Sequence, residues 1–253
     1  YQFQVLVPTE TSRGGATSLL GKTTFSATSE LAGATFTVTV NLVDRYWNRM
    51  PPGFNSTFAL SSDDPNDRLA QMGNFTTVNG QALSTGAFLV TQATTTGWVI
   101  RASTASGDPY LAGESTRFKV FPSPPSNMVA LLGPQQQVDG VGVTGLPAIE
   151  IAGEFITVRL RAVDPGFNFT PTVNKTGIRL TSDDGFAQSS WTLTMTDGVA
   201  VASIPLRTAG IRSFTITDQS GTPPLLAGTV SSTFTMVASN PTRLRVLVPS
   251  ETG

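Results

Sequence analysis

The 253-residue sequence contains no cysteine and no histidine. It therefore has no thiol nucleophile, no disulfide, no Cys or His metal ligand and no triad that uses imidazole as its base. Charge is also scarce, because only 13% of the residues are Asp, Glu, Lys or Arg and the formal net charge is −1. Binding to nucleic acid or to an anionic membrane needs a basic surface. We therefore expect neither as a partner.

Long apolar runs are missing as well. No stretch approaches the ~20 apolar residues of a membrane span, and no cationic-then-apolar signal segment opens the chain. The sequence begins at Tyr1 rather than Met, which we interpret as removal of a leader or as part of a longer protein. About a quarter of the residues are Ser or Thr, and Thr suits an exposed strand face. A Cys-free, Thr-rich β chain is compatible with bacterial export, so we expect an extracellular location.

One motif occurs twice, as FTVTVNLVDRYWN at 36–48 and as ITVRLRAVDPGFN at 156–168. Apolar and polar residues alternate in both copies, which is the period of a half-buried strand. The positions predicted to face a core are Phe36, Val38, Val40, Leu42, Ile156, Val158, Leu160 and Ala162. The tripeptide LAG also recurs, at 111–113 and 226–228, so the duplication covers whole domains.

Each copy ends in an Asp that is followed four positions later by an Asn. These pairs are Asp44 with Asn48 and Asp164 with Asn168. Asx side chains accept hydrogen bonds from nearby backbone N–H groups and so fix turns. We predict equivalent structural roles for the two pairs, in which replacing either Asp lowers stability rather than abolishing an activity.

Short strand-like segments separated by turn signals every 8–12 residues predict immunoglobulin-like β-sandwiches. The predicted fold class is all-β, with two tandem immunoglobulin-like domains at 1–126 and 127–242. Residues 1–30 supply a leading strand and a loose lead-in, with a possible strand at 22–27. Asn79-Gly80 is a strong turn signal, from which we predict a hairpin of 75–78 with 82–92.

The order AGATFTVTVNLVD, SSDD, TTVNGQA and TTGWVIRAS resembles the bacterial immunoglobulin-like domains of the invasin and intimin type. It is also similar to the tandem repeats of large bacterial surface adhesins. The second half of the sequence resembles these domains more closely, through the segments TSDD, TDGVAVASIPL and TAGIRSFTITD. The resemblance covers both domains and implies a sandwich used as a rigid extracellular spacer. The first half departs from it in a longer segment at 67–97.

The chain's last segment repeats its first, since LRVLVP at 244–249 matches FQVLVP at 3–8. Residues 243–253 are therefore predicted to be the first strand of a third unit or a linker strand between subunits. An unpaired strand leaves backbone groups unsatisfied, and a neighbouring sheet edge would satisfy them. We predict that Leu244, Val246 and Val248 form this assembly strand. The expected partners are copies of the protein or neighbouring repeats, arranged head to tail.

Acidic loops are the clearest candidates for chemistry. The predicted calcium ligands in one short loop are Asp63, Asp64, Asn66 and Asp67. Asp44 could add a further oxygen, whereas the second domain keeps Asp183 and Asp184 without the later ligands. Turn formation is the alternative. Glycoside cleavage needs two carboxyl groups ~5–9.5 Å apart across a cleft, but adjacent strand residues point to opposite faces.

Tyr46 and Trp47, with Phe54 nearby, could stack on a sugar ring, or else cap the core. A crosslink between one of the three lysines and an Asn is a further alternative. Our leading interpretation is a non-enzymatic structural repeat that needs no cofactor. The alternatives are an adhesin, a carbohydrate-binding module with a surface or glycan ligand, and an esterase or glycosidase.

Overall fold

The structure is a computed structural model that describes residues 1–16, 18–23, 27–67, 69–87, 89–105 and 107–243. The chain divides into two compact units. Unit 1 comprises Tyr1–Asn127, Gln137–Gly142 and Ala162–Pro171, and unit 2 comprises Met128–Gln136, Val143–Arg161 and, among the described residues, 172–243. The domain boundaries at 126 and 242 remain predictions, and the proposed assembly strand at 244–248 lies outside the described residues.

Strands account for most of the regular structure in the described residues. The first ten are β1 Gln2–Leu6, β2 Glu30–Leu31, β3 Phe36–Val43, β4 Thr57–Ser62, β5 Asn74–Thr76, β6 Gln81–Ala87, β7 Ala93–Trp98, β8 Ile100–Thr104, β9 Gly113–Glu114 and β10 Phe118–Phe121. The next six are β11 Asn127–Leu132, β12 Gln136–Val138, β13 Gly142–Thr144, β14 Glu150–Ile151, β15 Phe155–Val163 and β16 Lys175–Ser182. The last six are β17 Trp191–Met195, β18 Val199–Pro205, β19 Gly210–Arg212, β20 Phe214–Asp218, β21 Thr229–Val230 and β22 Phe234–Val237.

Helical structure in the described part of the chain is limited to two short 3₁₀ segments, Leu19–Gly21 and Leu69–Met72. The predicted all-β class is therefore confirmed. None of the described helical segments is long and apolar enough to cross a membrane.

Unit 1 is an immunoglobulin-like sandwich. One sheet has the order β1-β3-β6, and the others have the orders β5-β4-β8-β9 and β2-β10-β7. The predicted alternation in β3 is confirmed, because Phe36, Val38 and Val40 are all buried in one apolar core. Phe3 from β1 meets Phe58 from β4 across that core, with ring centroids 5.4 Å apart. β2 is parallel to β10, an early strand paired with a late one.

Unit 2 repeats this plan with sheets β11-β15-β18, β17-β16-β20-β21 and β14-β22-β19. β15 pairs antiparallel with β18 over seven residues, from Phe155 opposite Pro205 to Arg161 opposite Val199. Ile156, Val158 and Leu160 point into the core and are at most 1% exposed. β14 is parallel to β22, as β2 is to β10.

The predicted hairpin at Asn79-Gly80 is wrong as a pairing of two strands. Both residues do form a tight turn with positive φ, closed by a bridge between Val78 and Gln81. However, β5 pairs with β4 and β6 pairs with β3, so the turn connects two different sheets. Packing in the core therefore places β5 and β6 in different sheets, although the Asn79-Gly80 turn signal predicts that they pair with each other.

The lead-in before β3 is not loose where it is described. Lys22 forms a buried ion pair with Glu10, with both side chains fully inaccessible and a distance of 3.0 Å between Nζ and Oε2. Gln4 donates to the carbonyls of Leu20 and Gly21, which ties the segment to β1. Burial lowers the pKa of Lys22, and the Glu10 carboxylate opposes that shift. The ion pair and the Gln4 hydrogen bonds thus order the described part of this segment, and the middle residues of the strand predicted at 22–27 lie outside that part.

Neighbouring positions on β15 provide a test of the buried face. Val158 is fully buried, whereas Thr157 is exposed. We expect Val158→Asp to cost several kcal/mol of unfolding free energy, because it buries an unpaired charge. The matched variant Thr157→Asp should change stability little. Urea unfolding followed by circular dichroism measures both, and similar losses in the two variants would contradict this assignment.

Candidate functional site

The first Asp–Asn turn lies at the end of β3. One carboxylate oxygen of Asp44, Oδ1, accepts from the amides of Tyr46 at 2.8 Å and Asn48 at 2.9 Å. The other, Oδ2, accepts from Asn48 Nδ2 at 3.0 Å. The hydrogen bond from the Asn48 side chain is the main cause that lowers the pKa of Asp44. One carboxylate therefore satisfies three donors and fixes the chain reversal after the strand.

The second turn has the same internal geometry. Asp164 Oδ1 accepts from the amides of Gly166 at 2.8 Å and Asn168 at 2.9 Å, and Oδ2 accepts from Asn168 Nδ2 at 2.9 Å. The residue before each Asn has a left-handed backbone, with φ of 67° at Trp47 and 62° at Phe167. The four predicted turn residues thus lie together in two equivalent pairs.

The second turn belongs to unit 1, and other residues of that unit add an outer set of hydrogen bonds to it. Asn168 Oδ1 accepts from the Gln92 amide at 2.9 Å, and Asn168 Nδ2 donates to the Val90 carbonyl at 2.8 Å. Asp164 Oδ2 accepts from the Ser123 amide at 2.9 Å. Asp164 and Asn168 are fully buried as a result. We call Val90–Gln92 together with Ser123 the receiving edge.

In the described structure, outer hydrogen bonds of this kind do not reach Asp44 and Asn48 of the first turn, although the Gly15 amide donates to the Tyr46 carbonyl at 2.8 Å. Asn48 is exposed and Asp44 is half-buried. Gly14 and Gly21 pack beside this turn, where a Cβ on Gly21 would lie 2.2 Å from Trp47 Cβ. Sequence reasoning found both turns but missed the receiving edge, because its partners lie 41 and 76–78 residues away and carry no local signal.

The acidic pairs anchor strand ends in both units. Asp64 Oδ2 accepts from the amides of Val90 at 2.8 Å and Thr91 at 3.0 Å. Asp184 Oδ2 accepts in the same way from the amides of Arg207 at 2.6 Å and Thr208 at 2.9 Å. The equivalent use of Asp64 and Asp184 favours a structural role over paired catalytic carboxylates.

The predicted calcium ligands already have protein partners. Asp63 accepts from the Val99 amide and forms an ion pair with Arg117, and Asp67 Oδ2 accepts from the Ser62 amide at 2.8 Å. Asn66 donates from its side chain to Thr91. Within the described residues, no group of three or more acidic side chains could hold a metal ion. Calcium binding stays a prediction without geometric support.

Burial alone would raise the pKa of Asp184. Hydrogen bonds from the Thr208 hydroxyl and from three backbone amides outweigh burial and hold that pKa well below its usual range. In unit 2, Asp218 behaves similarly, with amide and Lys175 hydrogen bonds overcoming burial to lower its pKa. Lys175 Nζ also donates to Ser220 and Thr222, so all three of its protons have acceptors and it is not a free nucleophile for a crosslink.

The aromatic residues proposed for sugar stacking lie in different settings. The Arg45 guanidinium lies 4.5 Å from the Tyr46 ring centroid, and Phe54 contacts Tyr1 with centroids 5.9 Å apart. Trp47 lines a cavity of about 270 Å³ in unit 1. The polar lining residues of that cavity are Gln2, Gln4, Lys22 and Glu114.

No protein-family model matches the sequence, and no curated protein matches it. Solved structures do. InvD of Yersinia pseudotuberculosis is 15% identical over 96% of this chain and 60% of its own, with a TM-score of 0.31. The D0-D1 domain of intimin is 11% identical over 92% of this chain and 97% of its own, with a TM-score of 0.26.

A transglutaminase from red sea bream is also similar, at 10% identity over 94% of this chain and 31% of its own, with a TM-score of 0.28. The chain thus spans less than two thirds of the length of InvD and of the transglutaminase. At such scores these similarities do not decide between functions.

The two Asp–Asn turns form a matched pair for mutation. We expect Asp164→Ala to cost roughly 3 kcal/mol, because it leaves several buried donors without an acceptor. Asp44→Ala should cost clearly less, since water can reach the donors of the exposed turn. Urea unfolding of both variants at pH 7 makes the comparison, and equal losses would show that the outer hydrogen bonds add no stability.

Acid should weaken unit 2 through Asp184. Its pKa is lower in the folded state than the ~3.9 of an unfolded Asp, so its contribution to stability is present above the unfolded value and is lost progressively as the pH falls from there toward the folded pKa. The urea midpoint of the wild-type protein should therefore fall between pH 5 and pH 3. Asp184→Asn should be less stable at pH 5 and lose less on acidification. An unchanged acid loss in that variant would contradict this role.

Proposed function

We propose that the protein is a non-enzymatic structural repeat of an extracellular bacterial surface protein or filament, and that it acts as a spacer assembled head to tail. The duplicated carboxylate hydrogen bonds are the main support for this role. Asp44 and Asp164 fix equivalent turns, and Asp64 and Asp184 hold equivalent strand ends. The repeated carboxylates accept hydrogen bonds from backbone amides and so stabilise the fold. This use suits a protein whose role is structural.

The engaged carboxylates also favour this role over glycoside hydrolysis. A glycosidase needs a general acid with a raised pKa beside a second carboxylate across a cleft. Asp184 has a lowered pKa instead. Asp63 and Asp64 accept from the backbone amides of Val99 and Val90, so their oxygens are engaged by the main chain rather than presented to a substrate.

An adhesin or carbohydrate-binding module is the second candidate, and the cavity beside Trp47 favours it. An indole face next to amide side chains is a chemistry that suits sugars, since the ring packs on C–H groups and the amides bond to hydroxyls. Gln4 is, however, already committed to the Leu20 and Gly21 carbonyls and accepts from Asn41. The spacer role therefore has the stronger support.

Two measurements test the proposal together. Antibodies against the 253-residue protein should label intact cells of the source organism before permeabilisation, because the protein is exposed at the surface. A glycan array should give no saturable binding. Labelling only after permeabilisation would contradict the location. Saturable glycan binding that Trp47→Ala abolishes and Trp191→Ala leaves intact would favour the carbohydrate-binding alternative.

A further inference from the structure

The protein carries two Asp–Asn turns and two copies of the edge that receives one. The first turn is Asp44–Asn48 and the second is Asp164–Asn168. The receiving edge at Val90–Gln92 and Ser123 holds the second turn. A second receiving edge in unit 2 follows from the repeated hydrogen bonds.

Three correspondences locate this second edge. Asp64 binds the amides of residues 90 and 91, and Asp184 binds those of residues 207 and 208. The Leu89 carbonyl accepts from Gly33, and the Leu206 carbonyl accepts from Gly153. Residue 92 thus corresponds to Ala209.

The serine is placed in the same way. The Phe121 carbonyl accepts from Ala32, and the Val237 carbonyl accepts from Ala152. Ser123 follows Phe121 by two positions, and Ser239 follows Val237 by two positions. The second receiving edge therefore consists of Arg207–Ala209 and Ser239.

One turn and one edge remain without a partner in the described chain. Arg207, Ala209 and Ser239 are exposed, whereas their counterparts in the occupied edge, Val90, Gln92 and Ser123, are half-buried. Asn48 is exposed as well. The second turn occupies the first receiving edge, whereas the first turn and the second receiving edge are both open. This is the arrangement expected of a contact that repeats from one copy to the next.

We propose that the first turn of one copy of this chain docks on the second receiving edge of another copy. The contact repeats the hydrogen bonds made by the second turn. The Ala209 amide donates to Asn48 Oδ1, Asn48 Nδ2 donates to the Arg207 carbonyl, and the Ser239 amide donates to Asp44 Oδ2. The inference rests on the proposed structural role and deepens it by naming the partner and both surfaces.

Pre-organisation favours this contact. Asp44 already orients the Asn48 side chain through the bond from Nδ2, as Asp164 orients Asn168. Docking therefore orders few additional side chains, which reduces its entropic cost. Gly14 lies against Asn48, where a Cβ would come within 2.8 Å of Oδ1, so the absence of a side chain at residue 14 lets the Asn48 side chain take this position.

The two surfaces differ, so the contact is heterologous. Each copy that docks by its turn still presents a free edge, and each copy that receives a turn still presents its own. Association then continues beyond a dimer and gives an open chain. A copy encoded in the same polypeptide would dock in the same way.

The test is complementation between two blocked variants of the full 253-residue protein. Asn48→Ala removes the side chain of the turn and leaves the edge intact. Ala209→Pro removes the amide donor of the edge and leaves the turn intact. Sedimentation velocity over a range of concentrations should show wild-type species larger than dimers. Each variant alone should associate at least about tenfold more weakly than the wild-type protein. The mixture of the two variants should form a one-to-one complex, because each supplies the surface that the other lacks.

Asn55→Ala is the matched control, because Asn55 is an exposed Asn of unit 1 that accepts from the Asn79 amide and belongs to neither the turn nor the edge. It should associate like the wild-type protein. Circular dichroism identifies any variant that has not folded. If Ala209→Pro is unfolded, concentration-dependent shifts of the Ala209 and Ser239 amide resonances in the wild-type protein provide the readout instead.

Three results would overturn the inference: a monomeric wild-type protein at every concentration, unchanged association of Asn48→Ala, or amide resonances of Ala209 and Ser239 that do not shift. A monomeric protein that labels intact cells would refute this contact and leave the spacer role standing. A protein that associates through this contact but binds glycans would support the contact and contradict the spacer role.

Discussion

Backbone N–H groups at the ends of buried strands are the constraint on which this structure depends. A strand that leaves a sandwich carries amides out of the sheet ladder, and a buried amide without an acceptor costs about as much as a lost hydrogen bond. The protein meets this constraint with carboxylates. Asp64, Asp164 and Asp184 each accept from two or more backbone amides. A chain with few charged residues thus places several of them where the main chain needs an acceptor.

The same constraint explains the local strain at the turns. Reversing the chain within four residues around one carboxylate leaves the residue before Asn with a positive φ, which is unusual for the large side chains of Trp47 and Phe167. Gly21 and Gly142, both with positive φ, pack beside those two rings in unit 1. A glycine is required next to Trp47 because a Cβ at Gly21 would overlap the Trp side chain. Turn and supporting loop therefore depend on each other.

Local patterns in the sequence predicted much of the fold. Alternation identified β3 and β15, and the repeated Asp and Asn identified both turns, because these signals involve residues within a few positions of one another. Pairing was harder to predict. Asn79-Gly80 forms its tight turn, but the core places β5 and β6 in different sheets. Lys22 gave no signal of burial, since its partner Glu10 is 12 residues away. The receiving edge depends on contacts at still longer range.

The parallel pairing of β2 with β10, and of β14 with β22, has a mechanical consequence. In each unit a strand near the start lies beside one near the end and runs in the same direction. Tension applied to the two ends of such a unit pulls these neighbouring strands in opposite directions along their common axis. The hydrogen bonds between them are then sheared together rather than opened one after another, and resistance to forced unfolding is set by the rate of that concerted rupture.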